Sequence, residues 1–227
     1  MSGARKLYDL AAADPELRFS PYCWRTKLAL AHKGLTVESI PWRFTDKDKI
    51  AFSGSKTVPV LVDGEKTVAD SQAIAEYLEA EYPDAPSLFG GAQGHALTAF
   101  VRRWSEGVLQ AALVKILMPD IFKMLHPKDQ SYFRESREAR LGISIEALGA
   151  QRAEHLPALE APLQTLRATL KGQKFLGGDS PLYADHIVFG ALQWAAKTSS
   201  TRLWETDDVV AEWMQAVLDY YGDKIQR

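Results

Sequence analysis

Hydrophobic and polar positions follow two different rhythms along this chain. Over roughly the first ninety residues short apolar elements alternate with turns. Lys6-Leu7-Tyr8-Asp9-Leu10 reads as a strand. A helix is expected from Pro21 to about Lys33. Ser20 suits its N-cap, Pro21 its first position and Gly34 its stop, while Trp24, Leu28 and Ala31 supply an inward stripe. Val37 to Pro41 reads as a second strand, and the polar, aperiodic residues 44–56 as a surface loop with room for one helical turn. The β-branched run Val58-Pro59-Val60-Leu61-Val62, the turn Asp63-Gly64 and the segment Lys66 to Ala69 predict a hairpin. Asp70-Ser71 then opens a helix carrying Ile74, Ala75 and Leu78 on one face, ending near Tyr82-Pro83. The order β-α-β, then β-β-α, fits a four-stranded mixed sheet flanked by helices.

Residues 83–94 are rich in Pro, Gly and Ser and read as a linker. After it the period becomes helical, with breaks at His126-Pro127, near Leu156-Pro157, at Gly177–Pro181 and around Ser199-Ser200-Thr201. About five helices are expected there. The predicted organisation is a first domain over 1–84, a connector over 85–94 and an all-helical domain over 95–227.

Composition narrows the class. The 227 residues carry 27 Lys+Arg against 29 Asp+Glu, a balance without the basic footprint of a nucleic-acid or anionic-membrane binder. A single cysteine excludes an intrachain disulfide and a multi-thiolate metal site. Met1 to Asp14 has no apolar stretch suited to export, and the most apolar run, Ile187 to Ala196, is too short to span a membrane and reads as a core helix. A cytoplasmic protein is the expectation.

Three places carry candidate chemistry. Ser20-Pro21-Tyr22-Cys23 starts the first helix, where free N–H groups and the dipole favour an anion and a cap hydroxyl could donate to a thiolate. From spacing alone, a plain N-cap is the simpler reading of Ser20. Cys23 stands in an S-x-x-C, a C-x-x-C lacking the sulfur that is normally the nucleophile, so a partly buried helix residue is the simpler reading. A cis Val58-Pro59 bond would turn the Val58 N–H and C=O toward a bound peptide. Asp70-Ser71 is an N-cap by itself, or a clamp in which Asp70 takes an ammonium and Ser71 a carboxylate. A thiol, a peptide, and a free ammonium and carboxylate together describe glutathione.

With these residues in this order, the chain resembles the glutathione transferase superfamily over essentially its whole length. Ser20-Pro21-Tyr22, Val58-Pro59, Asp70-Ser71 before Ile74-Ala75-Glu76-Tyr77-Leu78, and Phe175-Leu176-Gly177-Gly178-Asp179 leading to Ala184-Asp185 carry the likeness. The run Ser20 to Lys27, Lys33-Gly34 and Ser136-Arg137-Glu138 look most like its serine-type branch of bacterial β-etherases and fungal etherase-like proteins. The resemblance implies a thioredoxin-like α/β domain followed by an all-α domain. It implies Ser20 as the group that stabilises the glutathione thiolate, Val58 and Pro59 at the cysteinyl backbone, and Asp70 and Ser71 at the γ-glutamyl end. Lys56 stands near the position of a glycyl-carboxylate partner, though two places before Val58 rather than one. Phe19, Tyr22, Trp104 and Phe122 are candidates for the second-substrate pocket, with core packing the competing reading for each. Attack on a hydrophobic electrophile, aryl ethers included, and a homodimer are implied. A glutathione-dependent thiol oxidoreductase using Cys23, and a non-catalytic binding module, stay open beside it.

One position departs from the pattern. The helix near Ala184-Asp185 should have Ser, Thr or Asn three residues before the Asp as half of a capping box, and Leu182 stands there instead. Asp185 is expected to cap alone. The histidines at 32, 95, 126, 155 and 186 form no close metal-ligand pair, so no metal is expected. The run Arg134 to Arg140 reads as a solvated, ion-paired helix face, and Trp194, Trp204 and Trp213 as packing residues.

Overall fold

The computed structural model describes residues 5–225; the outermost residues of the two expected domains lie outside it. Strands β1 (Lys6–Leu10), β2 (Glu38–Trp42), β3 (Val60–Asp63) and β4 (Lys66–Ala69) form one sheet in the order β2-β1-β3-β4. The β1–β2 pair is parallel, with Leu7 beside Ser39, and the other pairs are antiparallel, with Leu7 beside Leu61. The parallel pair is joined by α1 (Pro21–His32) as a crossover, as a parallel connection requires. Helix α2 (Ser71–Glu81) follows the hairpin. This is the thioredoxin-like arrangement.

The segment expected as a loop over 44–56 holds a 3₁₀ helix, Lys47–Ser53, closed by Gly54 in the left-handed region. Periodicity missed it because a 3₁₀ turn buries few side chains, here Ile50 alone. Ahead of it, the Thr45 N–H (2.9 Å) and hydroxyl (2.7 Å) donate to the buried Asp129, which ties this segment to the second half of the chain.

The second half has more helices than expected: α3 (Ala92–Trp104), α4 (Gln110–Met124), α5 (Pro127–Leu141), α6 (Ile145–Ala150), α7 (Arg152–His155), α8 (Glu160–Leu170), α9 (Tyr183–Thr198) and α10 (Val209–Tyr221). Helix α3 begins inside the expected connector. The breaks missed by pattern are a left-handed Gly142 that ends α5, with Ser144 capping α6, and a π-helical turn at Ser105–Leu109 between α3 and α4.

Helix α9 lies at the centre, buried at nearly every position from Tyr183 to Ala195, so Ile187 to Ala196 is a core helix. Its residues enter both apolar clusters, one spanning α1, α4, α9 and α10, the other joining Leu7, Leu30, Leu61 and Leu78 to Tyr183 and Ile187. Gly190 allows α9 to press onto the start of α1, since a Cβ there would stand 2.4 Å from the Pro21 carbonyl oxygen. Asp185 fixes the start of α9. It accepts from the backbone N–H groups of Leu176 (2.7 Å), Gly177 (2.9 Å) and Leu182 (3.0 Å) and from Trp213 Nε1 (3.1 Å). The carboxylate half of the capping box is therefore present without the N-cap half. Leu182 contributes packing instead, filling space over Gly177 and Gly90.

Candidate active site

A cavity of about 790 Å³ opens between the sheet domain and the helical domain. Its first wall comes from the sheet domain: Leu10, Phe19, Ser20, Pro21, Tyr22, Thr57, Val58, Pro59, Asp70 and Ser71. Residues expected from the sequence at three separate places thus meet on one surface.

Ser20 is the N-cap of α1 with extended backbone, and it is nearly inaccessible. Its Oγ accepts the Cys23 N–H at 3.3 Å. An oxygen that accepts in this way keeps its own proton to donate, with the cavity that Ser20 lines and the Cys23 sulfur as the two directions open to it. Pro21 has no N–H to compete for an anion or for the cap. The N-cap and the functional readings of Ser20 are thus compatible: the lone pair caps and the hydroxyl still has a proton to donate.

Cys23 behaves differently. It is fully buried and does not line the cavity. Burial pushes its thiol well above the usual range and the charge of Asp9 adds to this, while hydrogen bonds from Ser20 and Leu10 work weakly against it. A thiol held neutral and out of reach is not a nucleophile. Asp9 itself pairs with Lys27 at 2.5 Å in the same buried layer.

The Val58-Pro59 peptide is cis, and both residues line the cavity ahead of β3. Asp70 caps α2 and accepts from the N–H groups of Gln72 (2.8 Å) and Ala73 (3.1 Å). Its φ of 79° is the sole positive value at a non-glycine residue among those described. Holding a residue there costs on the order of 1–3 kcal/mol, and such positions cluster at functional sites. Ser71, buried behind it, has its carbonyl bound by the Tyr183 hydroxyl at 2.8 Å. Helix α9 therefore supports both helix starts, Gly190 behind Ser20 and Tyr183 behind Ser71.

The second wall comes from the helical domain and the segment after β2. It contains Trp42, Phe44, Lys47, Arg102, Glu106, Gln110, Val114, Met118, Tyr132, Phe133, Arg137, Arg140 and Trp194. Of the four proposed pocket residues, Phe19 and Tyr22 are on the cavity and Trp104 and Phe122 are not. Trp104 lies two positions from both Arg102 and Glu106, which puts it on the opposite face of its helix. Phe122 turns toward α5, where its ring meets Phe133 at 6.5 Å and lies under Arg134 at 4.6 Å. Lys56 also lies off the cavity. Lys47 lines it, with Nζ donating to the Lys56 carbonyl at 2.7 Å. The 3₁₀ helix thus brings Lys47, and not Lys56, onto the cavity wall.

The run Arg134–Arg140 is a solvated face in part only. Arg134 bridges Glu138 and Glu146 outside, whereas Arg137 and Arg140 line the cavity. Trp194, expected to pack, also forms part of the cavity wall. Among the described residues no cluster of three His, Cys, Asp or Glu is placed to hold a metal, and no helix is long and apolar enough to cross a membrane.

Comparison with known proteins places this architecture. Residues 19–81 match the N-terminal domain family of glutathione S-transferases and residues 96–223 the C-terminal domain family. A maize protein, glutathione transferase GST 23, is 28% identical over 179 residues, covering 77% of this chain and 68% of the relative. The crystal structure of glutathione transferase GSTFuA3 from Phanerochaete chrysosporium superposes with a TM-score of 0.85 at 26% identity, covering 97% of this chain and 98% of that one. A Ceriporiopsis subvermispora glutathione S-transferase solved in complex with glutathione shares the fold, with a TM-score of 0.83, 24% identity and coverage of 97% and 98%.

Proposed function

We propose, since this chain belongs to the glutathione S-transferase family, that it binds glutathione along the first wall and uses Ser20 to hold its sulfur as a thiolate. The observation that carries this is the Ser20 hydroxyl on the cavity wall at the start of α1, whose oxygen accepts the Cys23 N–H and whose proton turns from the Cys23 sulfur to the stronger acceptor, a bound thiolate. The thiolate then attacks an electrophilic carbon held against the second wall. The C–S bond forms as the leaving group departs with its electron pair, an aryloxide where the substrate is an aryl ether. The protein supplies orientation and a stabilised nucleophile.

In this reading Val58 pairs with the cysteinyl backbone, Asp70 takes the γ-glutamyl ammonium and Ser71 its carboxylate. Lys47 replaces Lys56 at the glycyl end. Arg102 lies near the γ-glutamyl end, where its charge acts on the Tyr183 hydroxyl that binds Ser71. The buried, neutral Cys23 argues against a thiol oxidoreductase. Glutathione conjugation of a nitroaryl halide is the first test. Turnover that falls about 10- to 100-fold in Ser20→Ala supports the proposal. Tight glutathione binding with no turnover of any electrophile tried, aryl ethers included, would leave a binding module.

A homodimer is part of the same proposal. Phe52, Leu97 and Phe100 are large apolar side chains more than half exposed. Sedimentation should find a dimer that Phe100→Asp weakens, and a parent monomer at all concentrations would refute it.

A further inference from the structure

The cationic groups on the cavity outnumber what glutathione requires. In the transferase reading Lys47 serves the glycyl carboxylate of the tripeptide and Arg102 its γ-glutamyl end, and both line the cavity. Arg137 and Arg140 remain. Both come from α5, which runs along the opposite wall from Tyr132 to Leu141. Tyr132 meets Lys47, whose Nζ is 5.0 Å from its ring, and at the other end the charge of Arg140 acts on the hydroxyl of Tyr22, two residues beyond Ser20.

Arg137 is half-buried. Its guanidinium lies 5.1 Å over Phe44 and 4.7 Å over Phe133, with one N–H spent on Ser136 at 2.9 Å. Neither it nor Arg140 has a carboxylate partner among the described residues. The acids nearby are engaged elsewhere, Glu138 by Arg134 at 3.0 Å and Glu106 by Arg25 at 3.2 Å. Burial of an unpaired charge is unfavourable, and a second like charge beside it makes it more so. Gln110, across the cavity, is also largely buried, and its amide nitrogen has no partner. Unpaired donors and aromatic faces therefore line the same cavity as Ser20.

We propose that Arg137 and Arg140 form an anion-recognition site that selects second substrates bearing a carboxylate on an aromatic ring. The ring packs among Tyr22, Phe44, Tyr132 and Phe133, and the planar guanidinium of Arg137 takes the carboxylate through the N–H groups not stacked on the rings. This deepens the transferase reading and rests on it for the identity of the nucleophile.

The test compares 4-chloro-3-nitrobenzoate with the neutral 4-chloro-3-nitrobenzamide. In both, the glutathione thiolate displaces chloride from the same ring. Dissociation constants come from quenching of tryptophan fluorescence, for which Trp42 and Trp194 on the cavity serve, and kcat/KM from the absorbance of the conjugate. The parent should prefer the benzoate by about tenfold or more, and Arg137→Gln with Arg140→Gln should abolish that preference. Arg140→Gln alone, at an exposed position, should lower the preference in a protein whose folding is not in question. Equal affinity of the parent for the two probes would overturn the proposal. So would variants that weaken both probes alike, or that raise the KM for glutathione with the probe preference intact. Because quenching needs no turnover, a benzoate preference in a protein that forms no conjugate would refute the transferase reading while upholding the arginine pair.

Discussion

The two walls of the cavity are built on opposite principles. The first is made of helix starts and a strand entry: Ser20 capping α1, Asp70 and Ser71 at α2, and Val58-Pro59 ahead of β3. Each position is fixed by the few residues around it. The second is made of side chains projected from α3, α4, α5 and the 3₁₀ segment, and its composition depends on how those elements are rotated and docked. The first wall suits a constant partner recognised by backbone and charge. The second suits a variable partner, since its residues can change without disturbing a cap.

The local wall nevertheless depends on long-range support. Helix α9 stands behind both helix starts, and its own start is held by Asp185. Removing that support should break the first wall without touching it. Asp185→Ala leaves three backbone N–H groups and the Trp213 indole unpaired in the interior. The expected cost is on the order of 4 kcal/mol, a large share of a typical domain's stability, and an unfolding free energy from denaturant titration within about 1 kcal/mol of the parent's would contradict it. Gly190→Ala is next. Its methyl must displace either α9 or the Pro21 carbonyl, at roughly 2–3 kcal/mol, and glutathione affinity measured by calorimetry should fall together with stability. Lost stability with unchanged affinity would show that the Ser20 end does not depend on α9.

A third prediction concerns the polar chain joining α1, α9 and α10. His32 Nε2 faces the Ser87 carbonyl at 3.0 Å and so carries the proton; its Nδ1 accepts from the Tyr221 hydroxyl at 2.8 Å, which in turn accepts from His186 Nε2 at 2.6 Å. Both rings are neutral in this chain. Burial pulls both pKa values below the ordinary value of 6.5, His186 furthest, with the charge of one histidine opposing that of the other. The unfolded chain binds these protons more readily. The contribution is complete above about pH 6.5 and is lost as pH falls through the folded-state values. Melting temperature should drop between about pH 7 and pH 5, where ordinary carboxylates stay ionised, and a flat profile would show that the chain does not resist protonation. The smallest effect is expected at Leu182→Asn. The gain of a cap, about 1 kcal/mol, is set against the loss of the packing over Gly177 and Gly90, and the net shift in melting temperature should be near zero.

The same contrast explains what could be read from the chain. Strands, the first two helices and the three candidate positions of the first wall follow from caps, turn residues and short periods, which are local signals. Lys47 was hidden because a 3₁₀ turn leaves no apolar stripe, so the basic group was sought at Lys56. Trp104 and Phe122 were drawn in by their aromaticity, but a π-helical turn separates α3 from α4 and the helix face decides which residues meet the cavity. Gln110 carries no local mark at all. Arg137 and Arg140 sat inside a run whose alternating charge is the usual sign of a solvated helix, and only the docking of α5 against Phe44 separates them from Arg134. Gly190 is a single glycine within a helical period, tolerated by pattern and explained only by the carbonyl it approaches.

The most direct measurement of the central claim is the thiol pKa of bound glutathione, from thiolate absorbance against pH, in the parent and in Ser20→Ala. The account predicts a depressed value in the parent, by about 1–2 units for a hydroxyl donor at a helix start, that returns toward the free value in the variant. A parent that binds glutathione with no depression, or a depression that survives in Ser20→Ala, would contradict it.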